Sequence, residues 1–399
     1  MNEISFLPVL NPLTIFLISV LLFWIYFYGS LCIVFLKIRI LDNFEINYKD
    51  YIFPKISIVV TACNEEKTLE PALRSLMNQN YPDFEVIAVN DRSTDQTPII
   101  LNRLAGEFGN LRIVHIESLP EKWLGKVHAL HTAAAQTSGE WILFTDADVH
   151  FSLNALKKSL FYADTRSLDH YAVAPKMAAD SFLLKIMFLT FSYMFMFIST
   201  GIPGFLRRDM AVGIGAFNLV RKSAFEKTEG FEWLRMEVAD DVGLALLLKR
   251  NGAKSEFALA VNDVIVKWYH SFSEMKRGLE KNIFGVSTGY KLSKSILHLF
   301  LVVILTPAPL IAIFLSPYHL IQAAGMLTLM LLVFSGWIHK YRFQESFLPS
   351  LFIPFGLVAL SFISLRAGII CMRNGGIRWR GTFYSIADLK NGQRVRTDV

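Results

Sequence analysis

Cysteine is scarce in this chain: Cys32, Cys63 and Cys371 are the only three among 399 residues. No two of them form a CxxC pair, and an odd, scattered set supports neither a disulfide framework nor a zinc site. Two lie in or beside apolar segments, where a free thiol behaves as a small hydrophobe. A reducing compartment is the simplest fit. Charge is thin as well. Charged residues make up 19% of the sequence, against about a quarter in a soluble domain. The net charge of +6 is mild for this length. No stretch interleaves dense Lys/Arg with aromatics as a strand-binding groove would, so nucleic acid is not an expected partner. Repeats and low-complexity segments are absent. Apolar side chains are abundant: 53% of the residues are hydrophobic, and Phe alone numbers 33.

That apolar content is unevenly placed. Leu13 to Leu36 carries no charge, and at about 1.5 Å per residue such a helix crosses a bilayer core. It is too long for a signal-peptide core, and no small-residue cleavage site follows. Lys37 and Arg39 come directly after it, while Glu3 and no base precede it. The positive-inside rule therefore puts the following domain in the cytoplasm. Beyond Lys294, Ile296–Leu315 and Tyr318–Ile338 read as two spans joined by a Pro-containing turn, with His339, Lys340 and Arg342 at a cytoplasmic end. A third stretch, Phe347–Leu365, either spans or, given Pro349, Pro354 and Gly356, forms a re-entrant hairpin. Full spanning would put the basic tail (Arg366, Arg373, Arg378, Arg380, Lys390, Arg394, Arg396) outside, against the same rule, so the parity stays open. The expected organisation is a membrane anchor over 1–40, a catalytic domain over 51–291, membrane segments over 296–371 and a basic tail over 372–399. That describes a multi-pass protein of the cell membrane with its catalytic domain in the cytoplasm.

The middle of the chain reads as α/β. The runs ISIVVTA (from Ile56), FEVIAVN (from Phe84), LRIVHIE (from Leu111), WILFTDA (from Trp141) and YAVAPKM (from Tyr171) alternate with helical patterns such as KTLEPALRSLMNQ. Runs this continuously apolar suit strands buried on both faces of a mostly parallel sheet. Chemistry in such sheets sits at the carboxyl ends of the strands. One stretch, Phe182–Phe205, is nearly all apolar, with Lys185 its only charge. Gly201, Pro203 and Gly204 interrupt its end, Arg207, Arg208 and Asp209 follow it, and a crossing here would split the domain. An interfacial helix over 182–205 is expected; an ordinary buried helix is the alternative.

Polar residues gather at the strand ends. Asp146-Ala147-Asp148 follows the strand WILFT, and residues two apart on an extended chain point the same way. Both carboxylates can then face one divalent metal, Mn²⁺ or Mg²⁺, bound to a diphosphate; hard oxygen ligands suit such a metal. An Asx-turn or a cap for the next helix is the plainer use of the same pair. Asp91 ends the second strand and opens the turn DRSTDQT, which suits a nucleoside contact; Asp91 and Asp95 could equally cap that turn. Thr61, Asn64 and Glu65 end the first strand at the same crevice. Lys126 stands at a helix start, where a cation is unfavourable beside the helix dipole unless an anion such as a diphosphate is near. Glu237, Asp240 and Asp241 precede the helical run VGLALLLKRNG. One of the adjacent acids can cap while the other acts as general base, and Asp241 is the chosen base.

Taken in order, these blocks resemble family 2 glycosyltransferases with the GT-A fold. They are TACNEE, VNDRSTDQT, WLGKVHAL, TDADV, GIGAFNLVRKSAF with Gly213 and Gly215, and ADDVGLALLLKRNG, covering about Ile56 to Lys281. The resemblance implies inverting hexosyl transfer from a UDP-sugar, or a GDP-sugar. Asp91 would meet the nucleobase, Asp146 the ribose or metal, Asp148 the metal and Asp241 the acceptor hydroxyl. The membrane frame resembles members that modify lipids, such as ceramide glucosyltransferases and hopanoid- or carotenoid-associated enzymes, which implies a lipid acceptor. The chain departs from the processive and ceramide-type pattern at one place. Where those members carry (Q/R)xxRW, it reads Arg277-Gly278-Leu279-Glu280-Lys281. A polymerase is thus disfavoured; Arg378-Trp379-Arg380 could supply a similar surface if the tail is cytoplasmic. A membrane-bound nucleotidyltransferase would share the sheet and the carboxylates. It would usually have a Gly-rich loop after the first strand, where TACNEE has no Gly. A glycosidase with paired acids would leave Lys126 and Asp91 without a role.

Overall fold

A computed structural model describes residues 11–44, 48–200 and 211–395. Of the features above, Glu3, Gly201, Pro203, Gly204, Phe205, Arg207, Arg208, Asp209 and Arg396 lie outside the described residues.

The strands run in chain order as β1 (Ile56–Ala62), β2 (Phe84–Asp91), β3 (Leu111–Ile116), β4 (Trp141–Asp146), β5 (Val149–Phe151), β6 (His170–Ala174), β7 (Lys176–Met177), β8 (Asn218–Arg221), β9 (Ser255–Leu259) and β10 (Val264–Val266). Seven of them make one sheet in the order β3-β2-β1-β4-β8-β6-β9. β1 runs parallel to β2 and β4, β2 to β3, and β6 to β9. Only β8 is antiparallel, to both its neighbours. Every residue of β1 is buried, because helices cover both faces. Ile58 and Val60 join the core that holds Leu69 and Leu73, while Val59 joins the core that holds Leu130 and Ala133. Two-sided burial is the reason these strands read as unbroken apolar runs. The helices Leu69–Met77, Thr97–Glu107 and Gly125–Ala134 link the first four strands, and the carboxyl ends of β1, β2 and β4 open side by side. β5, β10 and β7 form a small second sheet beside them.

Among the described residues, five helices are long and apolar enough to cross a membrane: Pro12–Lys37, Phe182–Ser199, Leu292–Leu315, His319–Arg342 and Leu348–Asn374. Three are stitched together. The Trp24 indole donates to the Leu305 carbonyl at 2.8 Å, and the Arg342 guanidinium donates to the carbonyls of Phe35 and Ile38. The other two pack on each other and on these three: the Tyr193 hydroxyl donates to Ser335 Oγ at 2.9 Å, and the Phe197 ring meets Phe27 at 4.7 Å. Gly356 lies so close to Thr190 that a Cβ there would fall 2.0 Å from the threonine hydroxyl, and the Phe182 and Phe352 rings meet at 5.5 Å. β7 precedes the Phe182 helix and β8 follows it, and both strands belong to the α/β domain.

The basic tail folds back. After Gly375, which turns the chain at a φ of 70°, β11 (Gly376–Trp379) and β12 (Thr382–Ser385) pair as a hairpin. Its two turn residues, Arg380 and Gly381, both have positive φ (47° and 82°). Ile377, Tyr384 and Leu389 are buried in the same core as Phe231, Met236 and Leu244, so the tail is part of the α/β domain.

Candidate active site

Lys126 is the centre of the crevice. It lies in the first turn of the Gly125–Ala134 helix, where its Nζ sits 2.8 Å from Asp146 Oδ1 and 3.3 Å from Asp240 Oδ2. Its side chain is only 16% exposed, which excludes a solvated surface lysine. Burial alone would lower its pKa; the charges of Asp146, Asp240 and Asp241 outweigh burial and hold it above the ordinary value. Burial likewise works to raise Asp146, and Lys126 more than offsets it, leaving that carboxyl below its usual range. Asp240 ends up raised, by burial first, with Lys126 opposing.

Asp241 faces the same space from a different mooring. Its Oδ2 accepts from the Gly215 amide at 2.8 Å and its Oδ1 from the Val242 amide at 2.8 Å. Burial, then the Asp240 charge, push it up to about 6, a value suited to a base near neutral pH. Two glycines make room for it. A Cβ on Gly213 would fall 1.8 Å from the Asp241 carbonyl oxygen, and one on Gly215 would fall 2.8 Å from Asp146 Oδ2. Lys126, Asp146, Gly215, Asp240 and Asp241 line one cleft. The following helix starts at Asp240 with Ala239 as its N-cap, so neither acid stands at the cap position, although Asp241 serves the first-turn Val242 amide.

Asp148 is pushed up to about 7, by burial first and then by the charges of Asp146 and Glu65. Like-charged carboxyls pressed together in this way fit a divalent cation. Among the described residues no three His, Cys, Asp or Glu side chains converge as a closed cage. A metal would therefore take one or two carboxylates, Asp148 with Asp146, and complete its shell from phosphate oxygens. The Asp146–Asp148 pair does not cap the next helix, whose N-cap is Asn154.

The remaining expected residues are brought to the rim, each already engaged. Asp91 is 1% exposed and takes both arms of Arg92, at 2.7 and 3.2 Å. Thr61 is buried in β1 directly beside Asp146. Asn64, at a φ of 59°, uses its side-chain oxygen to accept from the Thr94 amide at 2.8 Å. Asp95 accepts from the Glu66 and Thr97 amides, which is turn building. Glu65 pairs with Arg380 of the tail hairpin at 2.9 Å.

Two contributions lack a clear local sequence signal. Lys281 lies with its Nζ 4.6 Å from the Trp379 ring. Burial, then the Arg380 and Lys126 charges, bring it down to about 8. The tail hairpin is the second: Thr382 accepts from Arg92 at 3.2 Å, and the Tyr384 hydroxyl accepts from the Gly125 amide at 3.3 Å. The Arg378-Trp379-Arg380 run hinted at such a surface, but nothing local showed that it reaches back to β1.

Residues 57–228 match the family described as Glycosyl transferase family 2. A probable glycosyltransferase of Bacillus subtilis, YdaM, is 31% identical over 142 residues, covering 34% of this chain and 34% of the relative. The beta-monoglucosyldiacylglycerol synthase of a Nostoc species is 36% identical over 105 residues, covering 26% of this chain and 22% of that one. The matched stretches thus span about a third or less of these relatives' lengths. Among solved structures, a mannosyltransferase of Pyrobaculum calidifontis, in complex with GDP-Man and Mn²⁺, shares the fold. Its TM-score is 0.50 at 16% identity, over 88% of this chain and 99% of that one.

Proposed function

We propose, from the family 2 glycosyltransferase match over residues 57–228 and the shared fold, that the protein transfers a hexose, with inversion, from a nucleotide-diphosphate sugar to a lipid acceptor at the cytoplasmic face of a membrane. UDP is the favoured nucleotide. The observation that carries this reading is the buried Lys126 bracketed by Asp146 and Asp240, with Asp241 beside them. It supplies an anion-binding cation and a base in one cleft, at the carboxyl ends of parallel strands.

Asp241 takes the proton from the acceptor hydroxyl. The oxygen forms a bond to the anomeric carbon as the bond from that carbon to the diphosphate oxygen breaks, and a single displacement inverts the carbon. The leaving diphosphate gains negative charge, which Lys126 meets with Lys281 nearby. A divalent cation held by Asp148 and Asp146 would supply further charge neutralisation at the leaving group. The Asp91–Arg92 pair borders the nucleoside end, with Thr61, Asn64 and Glu65 around it.

The acceptor class rests on the frame. The Nostoc relative is named for making a glycolipid, and five apolar helices accompany the catalytic domain. Pro12–Lys37, Leu292–Leu315 and His319–Arg342 are the crossings in this reading. The Phe182 helix is flanked on both sides by strands of the catalytic domain. A return crossing needs about 20 hydrogen-bonded residues, more than residues 201–210 provide. The Leu348–Asn374 segment packs against it and leads straight into the tail hairpin. Neither is therefore counted as a full crossing: the Phe182 helix leans into the bilayer against the first crossing, with Phe197 4.7 Å from Phe27, a lipid's hydroxyl can be presented to the site beside it, and the tail is on the cytoplasmic side.

Mass spectrometry of lipids from cells with and without the gene tests the function. A new hexosylated lipid is expected with the gene. Identical lipid profiles, together with no nucleotide release by the purified protein given sugar nucleotide and lipid extract, would refute it. For the metal, excess EDTA is expected to abolish transfer and Mn²⁺ or Mg²⁺ to restore it, while Asp148→Ala loses both turnover and metal-dependent nucleotide binding. Full activity in EDTA would remove the metal from the scheme.

A further inference from the structure

Glu237 is 2% exposed, and its two oxygens are taken up by main-chain amides. Oε1 accepts from the Ala239 amide at 2.9 Å; Oε2 accepts from the Arg394 amide at 2.5 Å and the Val395 amide at 2.9 Å. Burying a carboxylate is costly, and amide donors of this kind are what compensate it. The same carboxylate therefore binds two segments far apart in sequence, and one of them leads directly into Asp240 and Asp241.

The neighbourhood fixes the contact. The Arg394 side chain donates to the Trp233 carbonyl at 3.1 Å and lies over the Trp233 ring at 5.4 Å. Gly392 abuts Met236 so closely that a Cβ would fall 2.2 Å from the methionine Cβ. Residues 392–395 thus run along residues 233–239. The Asp241 carboxylate is moored by the Gly215 amide and by its own neighbour Val242, and its carbonyl accepts from Asn218 at 3.3 Å; the chain enters these moorings from Ala239, two residues before. Ala239 has no side-chain cap bond of its own to offer.

We propose that Glu237 is a positioning residue for the transfer reaction: by clasping Arg394–Val395 to Ala239 it sets the catalytic base, and the 392–395 segment is a working part of the active site. This rests on the reading of Asp241 as the base. It also gives the folded-back tail a second role, on the acceptor side of the crevice, apart from the hairpin at the nucleotide side.

The test uses the full chain in lipid nanodiscs, with Glu237→Gln, Val395→Pro and Arg394→Ala. Glutamine keeps the size but cannot accept at both ends; proline removes one of the clasped amides; alanine keeps the Arg394 amide. A displacement of about 1 Å at a reacting group costs about 10²-fold. Glu237→Gln is accordingly expected to lower kcat by about 10- to 100-fold with UDP affinity within about threefold of the parent. Val395→Pro should lie between Glu237→Gln and the parent, and Arg394→Ala near the parent. A Glu237→Gln enzyme with parental kcat overturns the proposal. So does one whose kcat, UDP affinity and melting temperature fall together, which is the mark of a merely structural carboxylate. Hydrogen exchange at the Ala239 and Val395 amides separates this from the reaction itself. If the parent moves no sugar, the functional reading fails, while faster exchange at both amides in Glu237→Gln still upholds the clasp and unchanged exchange removes it.

Discussion

Asp241→Asn is expected to lower turnover by about 10²–10⁴-fold, the range that general-base catalysis supplies, and to leave sugar-nucleotide affinity near the parental value. The carboxylate touches the Gly215 and Val242 amides, while Lys126 pairs with Asp146 and Asp240. Lys126, the proposed diphosphate cation, therefore survives the change. The pH profile gives the second readout. Only the deprotonated form of Asp241 can take the acceptor proton, and burial with the Asp240 charge pushes that carboxyl up to about 6. Activity should therefore fall as pH drops through about 6, and this limb should vanish from the residual rate of Asp241→Asn. Asp240→Asn behaves differently. It removes one of the two carboxylates that hold Lys126, so sugar-nucleotide affinity shifts along with turnover. Parental turnover in Asp241→Asn, beside an inactive Asp240→Asn of unchanged melting temperature, would exchange the two roles.

Most of the candidate crevice is legible because its residues announce themselves locally. β1, β2 and β4 are buried on both faces, and two-sided burial writes itself as an apolar run; a polar residue at the end of such a run is conspicuous. Asp91, Asp146 and Asp148 stand out as candidates that way, and Lys126 by its awkward place in a helix's first turn. Two plainer uses of these residues are excluded for particular reasons. Lys126 is buried between acids, and neither Asp240 nor Asp148 caps a helix, the N-caps being Ala239 and Asn154. Of the two uses open to Asp95, the turn is the one its contacts serve, since it accepts from the Glu66 and Thr97 amides. What stayed hidden depends on contacts between distant segments. Nothing in GIRWRGTFYS says that Arg380 will meet Glu65, because a four-residue strand pair carries almost no periodicity. Lys281 is one lysine among many until Trp379 is set against it. The parity of the membrane segments was open for the same reason. Charge bias gives an orientation only once it is known which apolar helices cross, and the proposed set of crossings rests on which strands each one joins.

Lys126→Met carries the largest expected effect on stability. The ammonium, 16% exposed, is the only cation within salt-bridge distance of Asp240 among the described residues, and Asp146 shares it. Methionine keeps the length of the stem but leaves both acids, one of them almost wholly buried, without their counter-charge. Breaking a buried pair by removing one partner costs about 3–5 kcal/mol, and a loss of that order is expected in chemical or thermal unfolding. The sign with pH is fixed by the acids. Their charged forms are the ones stranded, so the deficit should be fullest at neutral pH and above, and should shrink as pH falls and they take up protons. The double variant Lys126→Met/Asp240→Asn removes one stranded charge and should recover part of the stability. UDP affinity should stay lost in both variants, because neither restores a cation facing the diphosphate. That split between stability and binding distinguishes a lysine that serves the ligand from one that serves only the fold. Recovered UDP affinity in the double variant would show that Lys126 neutralises its neighbours without meeting the donor, and a parental melting curve for Lys126→Met would show that the acids are solvated enough to stand alone.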